Sequence, residues 1–201
     1  MKLLIIPFIL CFSIFVKAQE QQDVEVDSVY ADEPKLVQLY IAPVYNISSF
    51  AETGASFAGV YLGVNIHDRV DLSLSFSKIL NDFKKQIIFP TIYFYDQINY
   101  GFHVDYTILK SKISPLVGLG FQYVDASWES DNDIKEVFQD YFFLYNVFVG
   151  AKWNINKTFD FQVNVGYNYL NNVSIVGLES YDFNGIYGDL ILKIRIVNFE
   201  K

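Results

Sequence analysis

Residues 97–108 of the chain read QINYGFHVDYTI, and apolar side chains alternate there with polar or small ones at every step. The apolar positions are Ile98, Tyr100, Phe102, Val104, Tyr106 and Ile108. Successive side chains of a β-strand point to opposite faces, whereas the spacing of a helix would distribute these positions around a cylinder. The stretch therefore predicts a β-strand with one apolar face and one polar face.

The same alternation recurs from residue 36 onward, and it is clear again in residues 159–169, FDFQVNVGYNY. We count eight predicted strands, at residues 36–45, 57–66, 70–78, 97–108, 116–126, 140–154, 159–169 and 186–199. Pro43 in the first strand predicts a bulge or an early strand end, because proline cannot donate a hydrogen bond to a ladder. In the last strand the alternation slips at Val197.

The connections between the predicted strands alternate strictly between short and long. The short ones are residues 67–69, 109–115 and 155–158, and the long ones are residues 46–56, 79–96, 127–139 and 170–185. An up-and-down barrel has this pattern, with tight periplasmic turns at one rim and longer extracellular loops at the other. The sequence therefore predicts an all-β fold, an eight-stranded antiparallel up-and-down transmembrane β-barrel.

The chemistry of the two faces favours a membrane barrel over a soluble one. Aromatic residues make up 18% of the chain, mostly Tyr and Phe, and they lie on the apolar face of the predicted strands. The other face is rich in Gly, Asn and Gln, which suit a narrow polar lumen. A soluble lipocalin-like barrel would reverse this arrangement, with charge outside and apolar groups inside. A periplasmic carrier of that kind is the alternative fold assignment.

The N-terminus predicts export from the cytoplasm. A basic start at Lys2 is followed by an apolar run at residues 3–16 and by Val16-Lys17-Ala18, which is typical of a signal peptide spanning residues 1–18. Residues 19–35 are acidic and without periodicity, and they predict a flexible periplasmic lead-in to a barrel at residues 36–201. Cys11 is the only cysteine, so the exported chain would contain no disulfide. A formal net charge of −8 argues against a nucleic-acid partner.

The polar face also carries ionisable residues of both signs. They are Asp71, His103, Asp105, Lys152, Asp160, Asp189, Lys193 and Arg195. Inside an eight-stranded barrel these groups would be desolvated, so we expect them to form an internal salt-bridge network. A proton or ion path is the functional alternative, although side chains just fill the interior of a barrel of this size.

Two further sets of residues point to surfaces. Aromatic residues near strand ends predict interfacial girdles, formed by Tyr141, Phe143, Trp153, Phe159, Tyr167 and Tyr169. The long connection at residues 79–96 is strongly apolar, so it either extends the neighbouring strand outward as a hairpin or offers an exposed patch for an extracellular protein or lipid. That patch would consist of Ile87, Ile88, Phe89, Ile92, Tyr93, Phe94 and Tyr95.

Signals for catalysis and for cofactors are weak. The chain has two histidines, His67 in a predicted turn and His103 in mid-strand, and neither lies beside an obvious nucleophile. Two separated histidines also make a poor metal site, and no glycine-rich phosphate loop precedes a helix. We therefore predict no catalytic residues, no metal and no cofactor.

Taken together, the chain resembles the small outer-membrane barrels of the OmpA/OmpX type, the "porin family" of β-barrel proteins. The resemblance covers residues 36–201 and is carried by the signal peptide and by strands such as VGLGFQY at 117–123 and VGAKW at 149–153. It implies a location in the outer membrane, with outer-membrane lipid and the barrel-assembly machinery as partners. It further implies a non-enzymatic protein that displays loops for envelope integrity, adhesion or partner binding. A narrow pore or transport accessory, and a lipid-modifying barrel enzyme, remain as alternatives.

Overall fold

The structure is a computed structural model, and it describes residues 37–50, 54–88, 91–130, 137–170, 173, 178 and 180–199. The predicted signal peptide and acidic lead-in lie outside these residues. The elements are β1 (Val37–Ser48), β2 (Ala55–Ile66), β3 (Val70–Ile79), β4 (Phe83–Ile88), β5 (Thr91–Thr107), β6 (Ile113–Ser130), β7 (Val137–Asn154), β8 (Phe159–Leu170), a one-turn helix α1 (Ser180–Phe183) and β9 (Gly185–Phe199).

Eight of these strands form a closed ring of antiparallel neighbours. The order runs β3-β2-β1-β9-β8-β7-β6-β5, and a ladder between β3 and β5 closes it. Each predicted strand matches one of the eight, and the ends agree to within about four residues except at the start of β5, which begins at Thr91 and not at residue 97. The fold prediction, an eight-stranded antiparallel up-and-down barrel, is therefore confirmed.

The ninth strand, β4, does not belong to the barrel wall. It pairs only with the first half of β5, from Phe83 opposite Tyr95 to Ile88 opposite Thr91. Together they form a hairpin that continues β5 beyond the barrel at the long-loop rim. The hairpin predicted for this connection is therefore present in the structure.

The tightest turn joins β2 to β3 at the opposite rim. His67 and Asp68 both have positive φ, 55° and 56°, and the Arg69 amide donates to the Ile66 carbonyl at 3.0 Å. Two successive residues of positive φ define a type I′ turn, whose twist matches that of a hairpin. The short connections thus hold the strands in register at one rim.

The irregularity expected at Pro43 lies elsewhere. β1 continues through Pro43 to Ser48 in unbroken register with β2, so the prediction of a bulge or strand end at Pro43 is wrong. Its ladder with β9 skips Ala42 and Pro43 and resumes in the same register at Val44, so no hydrogen bond is required from the proline nitrogen there. The bulge occurs between Leu39 and Tyr40, opposite an extra residue in β9, and it accounts for the slip in alternation at Val197.

The outer surface of the barrel is a broad apolar band. On β7 the outward side chains from Tyr141 to Trp153 are all apolar or aromatic, and all except Ala151 are exposed. At ~3.3 Å per residue and a tilt of ~40°, this stretch spans about 30 Å along the barrel axis, close to the thickness of a bilayer core. Charged residues lie at its edges, such as the Lys78–Asp96 ion pair at the long-loop rim. Separately, none of the helices in the described residues has the length and apolarity to cross a membrane.

Candidate functional site

The interior is divided into an ionic end and an apolar end. The ionic end lies near the short turns, where strands β3, β5, β7 and β9 each contribute an inward charge. At its centre the Lys193 ammonium lies 3.1 Å from Asp71 Oδ2 and 3.6 Å from Asp105 Oδ2. The ammonium also sits 4.9 Å from the centre of the Tyr40 ring, which adds a cation–π contact. One buried lysine therefore holds two buried carboxylates together.

A second ion pair lies beside this cluster. Asp160 is the second residue of β8, and both of its oxygens accept hydrogen bonds from the Arg195 guanidinium at 2.6–3.1 Å. This bidentate geometry is the strong form of an Arg–carboxylate pair. Arg195 also donates to the Lys157 carbonyl at 3.3 Å, so it ties β9 to the turn before β8.

Amide side chains continue the polar layer toward the middle of the barrel. Gln162 donates to Asp105 at 2.9 Å and to Asn164 at 3.0 Å. Asp189 accepts from Asn46 at 2.6 Å and from Asn164 at 3.4 Å, and it makes no ion pair within the described residues. The predicted polar residues thus fall into a lysine-centred group, an Arg195 pair and an amide-bound Asp189. Sequence analysis placed Asn and Gln side chains on this face, but the pattern could not predict which charged groups they would bond to.

His103 lies apart from the charges, in mid-barrel. Its Nε2 is 3.0 Å from Ser75 Oγ, and its ring stacks on Tyr61 at 4.8 Å. In the described part of the chain no carboxylate bonds to the other ring nitrogen, so the third member of a hydrolytic triad is missing there. His67 lies in the β2–β3 turn at the rim. The described residues also contain no group of three or more His, Cys, Asp or Glu side chains that could hold a metal ion.

Inward aromatic rings pack on glycines of neighbouring strands. Phe148 pairs with Gly118 across the β6–β7 ladder, and a Cβ at residue 118 would overlap the Phe148 ring. Tyr187 and Gly166 repeat the arrangement across β8 and β9. Tyr40 and Gly63 do so across β1 and β2. The glycines on the polar face therefore make room for rings in a lumen too narrow for two large side chains.

The apolar end of the interior lies at the long-loop rim. Phe50 from the β1–β2 connection is at its centre, 4.9 Å from Phe83, 5.0 Å from Tyr95 and 5.2 Å from Phe183, measured between ring centres. We call the buried set around it the aromatic cap. Its members are Phe50, Ala55, Phe57, Ile79, Tyr93, Tyr95, Val124, Ala126, Trp128, Phe142, Leu144, Leu170, Leu178 and Phe183.

The aromatic cap changes the interpretation of the predicted extracellular patch. Tyr93 is fully buried and Tyr95 is 4% exposed, so these two do not belong to an exposed patch. They point inward because β5 keeps its alternation beyond the barrel wall, which places odd-numbered residues inside. Phe94 faces the other way, with the Lys84 ammonium 4.9 Å from its ring centre. Phe89 and the side chains of Ile87, Ile88 and Ile92 lie outside the described part of the structure.

Little free space remains between the two ends. Below the cap is a polar cavity of about 40 Å³, lined by residues such as Asn46, Ser77, Gln97 and Asn168. That volume holds a few water molecules. A wider pocket of about 380 Å³ opens at the short-turn rim, and Lys152 is among its lining residues.

The residues predicted for the aromatic girdle all project from the outer surface. Trp153 and Phe159 lie near the short turns, whereas the other four lie on the halves of β7 and β8 that are nearer the long loops. All are between 37% and 55% exposed, and they are Tyr141, Phe143, Trp153, Phe159, Tyr167 and Tyr169. On the β5–β6–β7 surface further rings join them, with Phe121 stacked on Phe143 at 5.0 Å.

Known structures share this architecture. The chain superimposes on Neisserial surface protein A with a TM-score of 0.54 and 15% identity, over 80% of this chain and 95% of that one. A major outer membrane protein from Thermus thermophilus gives a TM-score of 0.50 and 9% identity, over 79% and 99% of the two chains. The N-terminal β-barrel domain of Pseudomonas aeruginosa OprF gives 0.48 and 13%, over 81% and 98%. No family model matches the chain, and no curated protein matches it. The chain has the fold of the small outer-membrane β-barrels.

Proposed function

We propose that the protein is an integral outer-membrane protein whose closed barrel anchors long extracellular loops for binding a partner at the cell surface. The observation that carries this proposal is that side chains fill the barrel at both ends while its outer face is apolar. The barrel then acts as a rigid, sealed support, and function belongs to the surface that it holds in place.

The outer face supports residence in a membrane. Exposed side chains in the middle of the strands include Leu74, Leu119, Val147 and Val165, each more than half exposed. Such a continuous apolar surface far exceeds what soluble monomers expose. A lipocalin-like carrier would instead need an apolar cavity, yet here ion pairs occupy the interior near the short turns. The solved barrels of the same fold are outer-membrane proteins, which also supports this location.

The filled interior favours anchoring over transport. A solute entering from the long-loop rim would meet Phe50, Tyr95 and Trp128, which pack with ring centres about 5.0 Å apart. From the other rim it would meet the cluster around Lys193. Displacing the aromatic rings would expose large buried side chains, and displacing the Lys193 cluster would break buried ion pairs. Both changes are energetically unfavourable.

The loops supply the surface for binding. Phe50, Phe83 and Phe183 come from three different loop regions and meet in one cluster, so the bases of the loops are held against each other. Because the bases of the loops are already fixed, the loops lose less conformational entropy when a partner binds. Envelope attachment or adhesion to an extracellular partner therefore suits this architecture.

Three measurements test the proposal together. Expressing cells are fractionated and the purified protein is run unboiled and boiled, since a closed barrel migrates differently before heating. We expect recovery in the outer membrane, a mobility shift, and no stepwise conductance in planar bilayers. A purified porin reconstituted in the same bilayers serves as the positive control for conductance.

Each result separates the candidate functions. Soluble periplasmic recovery would overturn membrane residence and favour a carrier. Outer-membrane recovery with single-channel steps from the unmodified protein would overturn the sealed barrel and favour a narrow pore.

A further inference from the structure

A pocket at the short-turn rim of the barrel is lined by polar and mainly basic side chains. It has a volume of about 380 Å³ and opens inside the ring of strands. Its lining includes three basic side chains, Lys110, Lys152 and Arg195, and one acidic side chain, Asp68. Behind this lining Asp160 pairs with Arg195 and Asp71 lies 3.6 Å from Lys152, so the basic groups face the pocket while their acidic partners lie deeper in the barrel wall.

Lys152 is the residue that points to a ligand. Its side chain is only 5% exposed, and its closest charged partner within the described residues is Asp71 Oδ2 at 3.6 Å, beyond hydrogen-bond length. Asp71 lies closer to Lys193, at 3.1 Å. An ammonium has three N–H donors, and a buried charge without hydrogen bonds is costly. The Lys152 ammonium thus lines the pocket with donors that the described protein groups do not satisfy.

The rest of the pocket wall is held rigidly. Asn154 Nδ2 donates to the Ser111 carbonyl at 2.7 Å, and the Ser111 amide donates to Ser114 Oγ at 3.1 Å. Arg195 is held in place by its bidentate ion pair with Asp160. A ligand would meet a formed site and would not need to order these side chains.

We propose that this mouth binds a small oxyanion, a phosphate or carboxylate group, with Lys152 as the main contact and Arg195 and Lys110 as flanking charges. An anionic oxygen at Lys152 supplies the acceptor that the ammonium lacks, in a charge-assisted hydrogen bond. Phosphate and carboxylate share this chemistry, and the pocket also has room for a neutral remainder of the ligand. The pocket lies inside the strand ring, so the ligand is a soluble anion and not a lipid of the surrounding membrane.

The test uses the protein folded in octyl glucoside at low ionic strength and pH 7. Inorganic phosphate and succinate are titrated separately by isothermal calorimetry, and phosphate binding is followed independently by ³¹P line broadening. The variants are Lys152→Met, which removes the charge at similar volume, and Gln38→Glu, which adds a carboxylate to the pocket wall. Lys78→Met is the matched control, because it removes a lysine at the other rim. Heat-dependent gel mobility establishes that each variant is folded.

We expect saturable 1:1 binding of at least one of the two anions by the unmodified protein. Lys152→Met and Gln38→Glu should weaken it by roughly tenfold or more, the scale of a charge-assisted hydrogen bond, and Lys78→Met should leave it unchanged. Preference for phosphate or for succinate identifies the ligand class. The proposal is overturned by absence of saturable binding, or by equal binding to folded Lys152→Met and unmodified protein. Neither result affects membrane residence or the sealed lumen, which are tested separately.

Discussion

At the scale of single residues, the interior depends on a few side chains that each satisfy several others. Lys193 is the clearest case, since its ammonium faces Asp71, Asp105 and the ring of Tyr40. Removing one member of a buried ion pair costs more than the pair contributes, because the remaining charge is left unpaired.

Lys193→Met should therefore destabilise the barrel strongly. Two buried carboxylates lose their shared cation, and we expect a loss of roughly 3 kcal/mol or more in the free energy of unfolding. Urea titration of protein folded in lipid vesicles, followed by tryptophan fluorescence, measures this change. The double variant Lys193→Met with Asp71→Asn should recover part of the loss, because it removes one orphaned charge. An unchanged urea midpoint for Lys193→Met would contradict the central role of this lysine.

Gly118 provides a test of the narrow lumen. Gly118→Ala places a methyl group against the Phe148 ring, and we expect a loss of about 1–3 kcal/mol from overpacking. Gly188→Ala is the matched control, because its Cβ would meet only the Asn164 carbonyl at an ordinary 3.5 Å. The same urea titration compares them. If the two variants behave alike, the ring-on-glycine contact does not limit the size of residue 118.

At the scale of elements, the aromatic cap joins segments that are distant in the chain. Phe50 precedes β2 and Phe183 ends α1, and Phe83 at the start of β4 packs against them, so the cap links three connections. Because the bases of these loops pack on one cluster, we expect them to unfold locally as a unit. The stability of the cluster then determines how often the loop bases become exposed to solvent.

Phe50→Ala should loosen the β4–β5 hairpin while the barrel stays closed. The substitution removes ring contacts to Phe83, Tyr95 and Phe183, and a buried Phe→Ala change costs ~3–5 kcal/mol. We expect faster tryptic cleavage after Lys84 and Lys85, with the heat-dependent gel shift retained. Leu80→Ala is the control, since Leu80 is 56% exposed near the hairpin base and should not alter cleavage. Equal cleavage of both variants would show that the cap does not hold the hairpin.

The barrel strands were predictable from the sequence, and the hairpin strand was not. Period-two alternation locates β8 almost to the residue, because its outward positions are all apolar or aromatic and its inward ones, apart from Gly166 and Leu170, are polar. Residues 83–88, FKKQII, show no such alternation, so β4 left no signal of its own. The predicted patch also missed the inward direction of Tyr93 and Tyr95, since burial under a cap formed by distant loops has no local pattern.

At the scale of the whole molecule, the outer band decides where the protein can reside. Val147→Arg places a charge in the middle of that band, at a side chain that is 54% exposed. A lipid-facing Arg near the midplane costs ~2–4 kcal/mol, so we expect a clearly smaller folded fraction in vesicles by gel mobility. Gln139→Arg is the matched control, because residue 139 lies above the band and already bonds to Asp125 at 2.8 Å. Equal folding of the two variants would contradict the membrane orientation of the outer face.

The composition of the two faces was predictable at this scale, whereas the partners inside the lumen were not. The sequence indicates that Asp189 faces inward, but only closure of the ring brings Asn46, 143 positions away, to within 2.6 Å of it. The same holds for Lys152, whose weak pairing depends on the position of Lys193 relative to Asp71. Alternation specifies a face, and the register of the closed ring specifies the neighbours on it.

The uneven interior also bears on how such a barrel enters a bilayer. Before β1 pairs with β9 and closes the barrel, the inward side chains are exposed to the surrounding lipid and solvent. Asp71, Asp105 and Asp160 lie within a few residues of the short turns, while the loop end contains rings and aliphatic groups. If the long-loop end of the barrel enters the membrane first, the side chains that cross the hydrocarbon core first are therefore aromatic and aliphatic. The ionised side chains near the short turns then stay on the periplasmic side, so they do not have to cross the middle of the membrane without a partner.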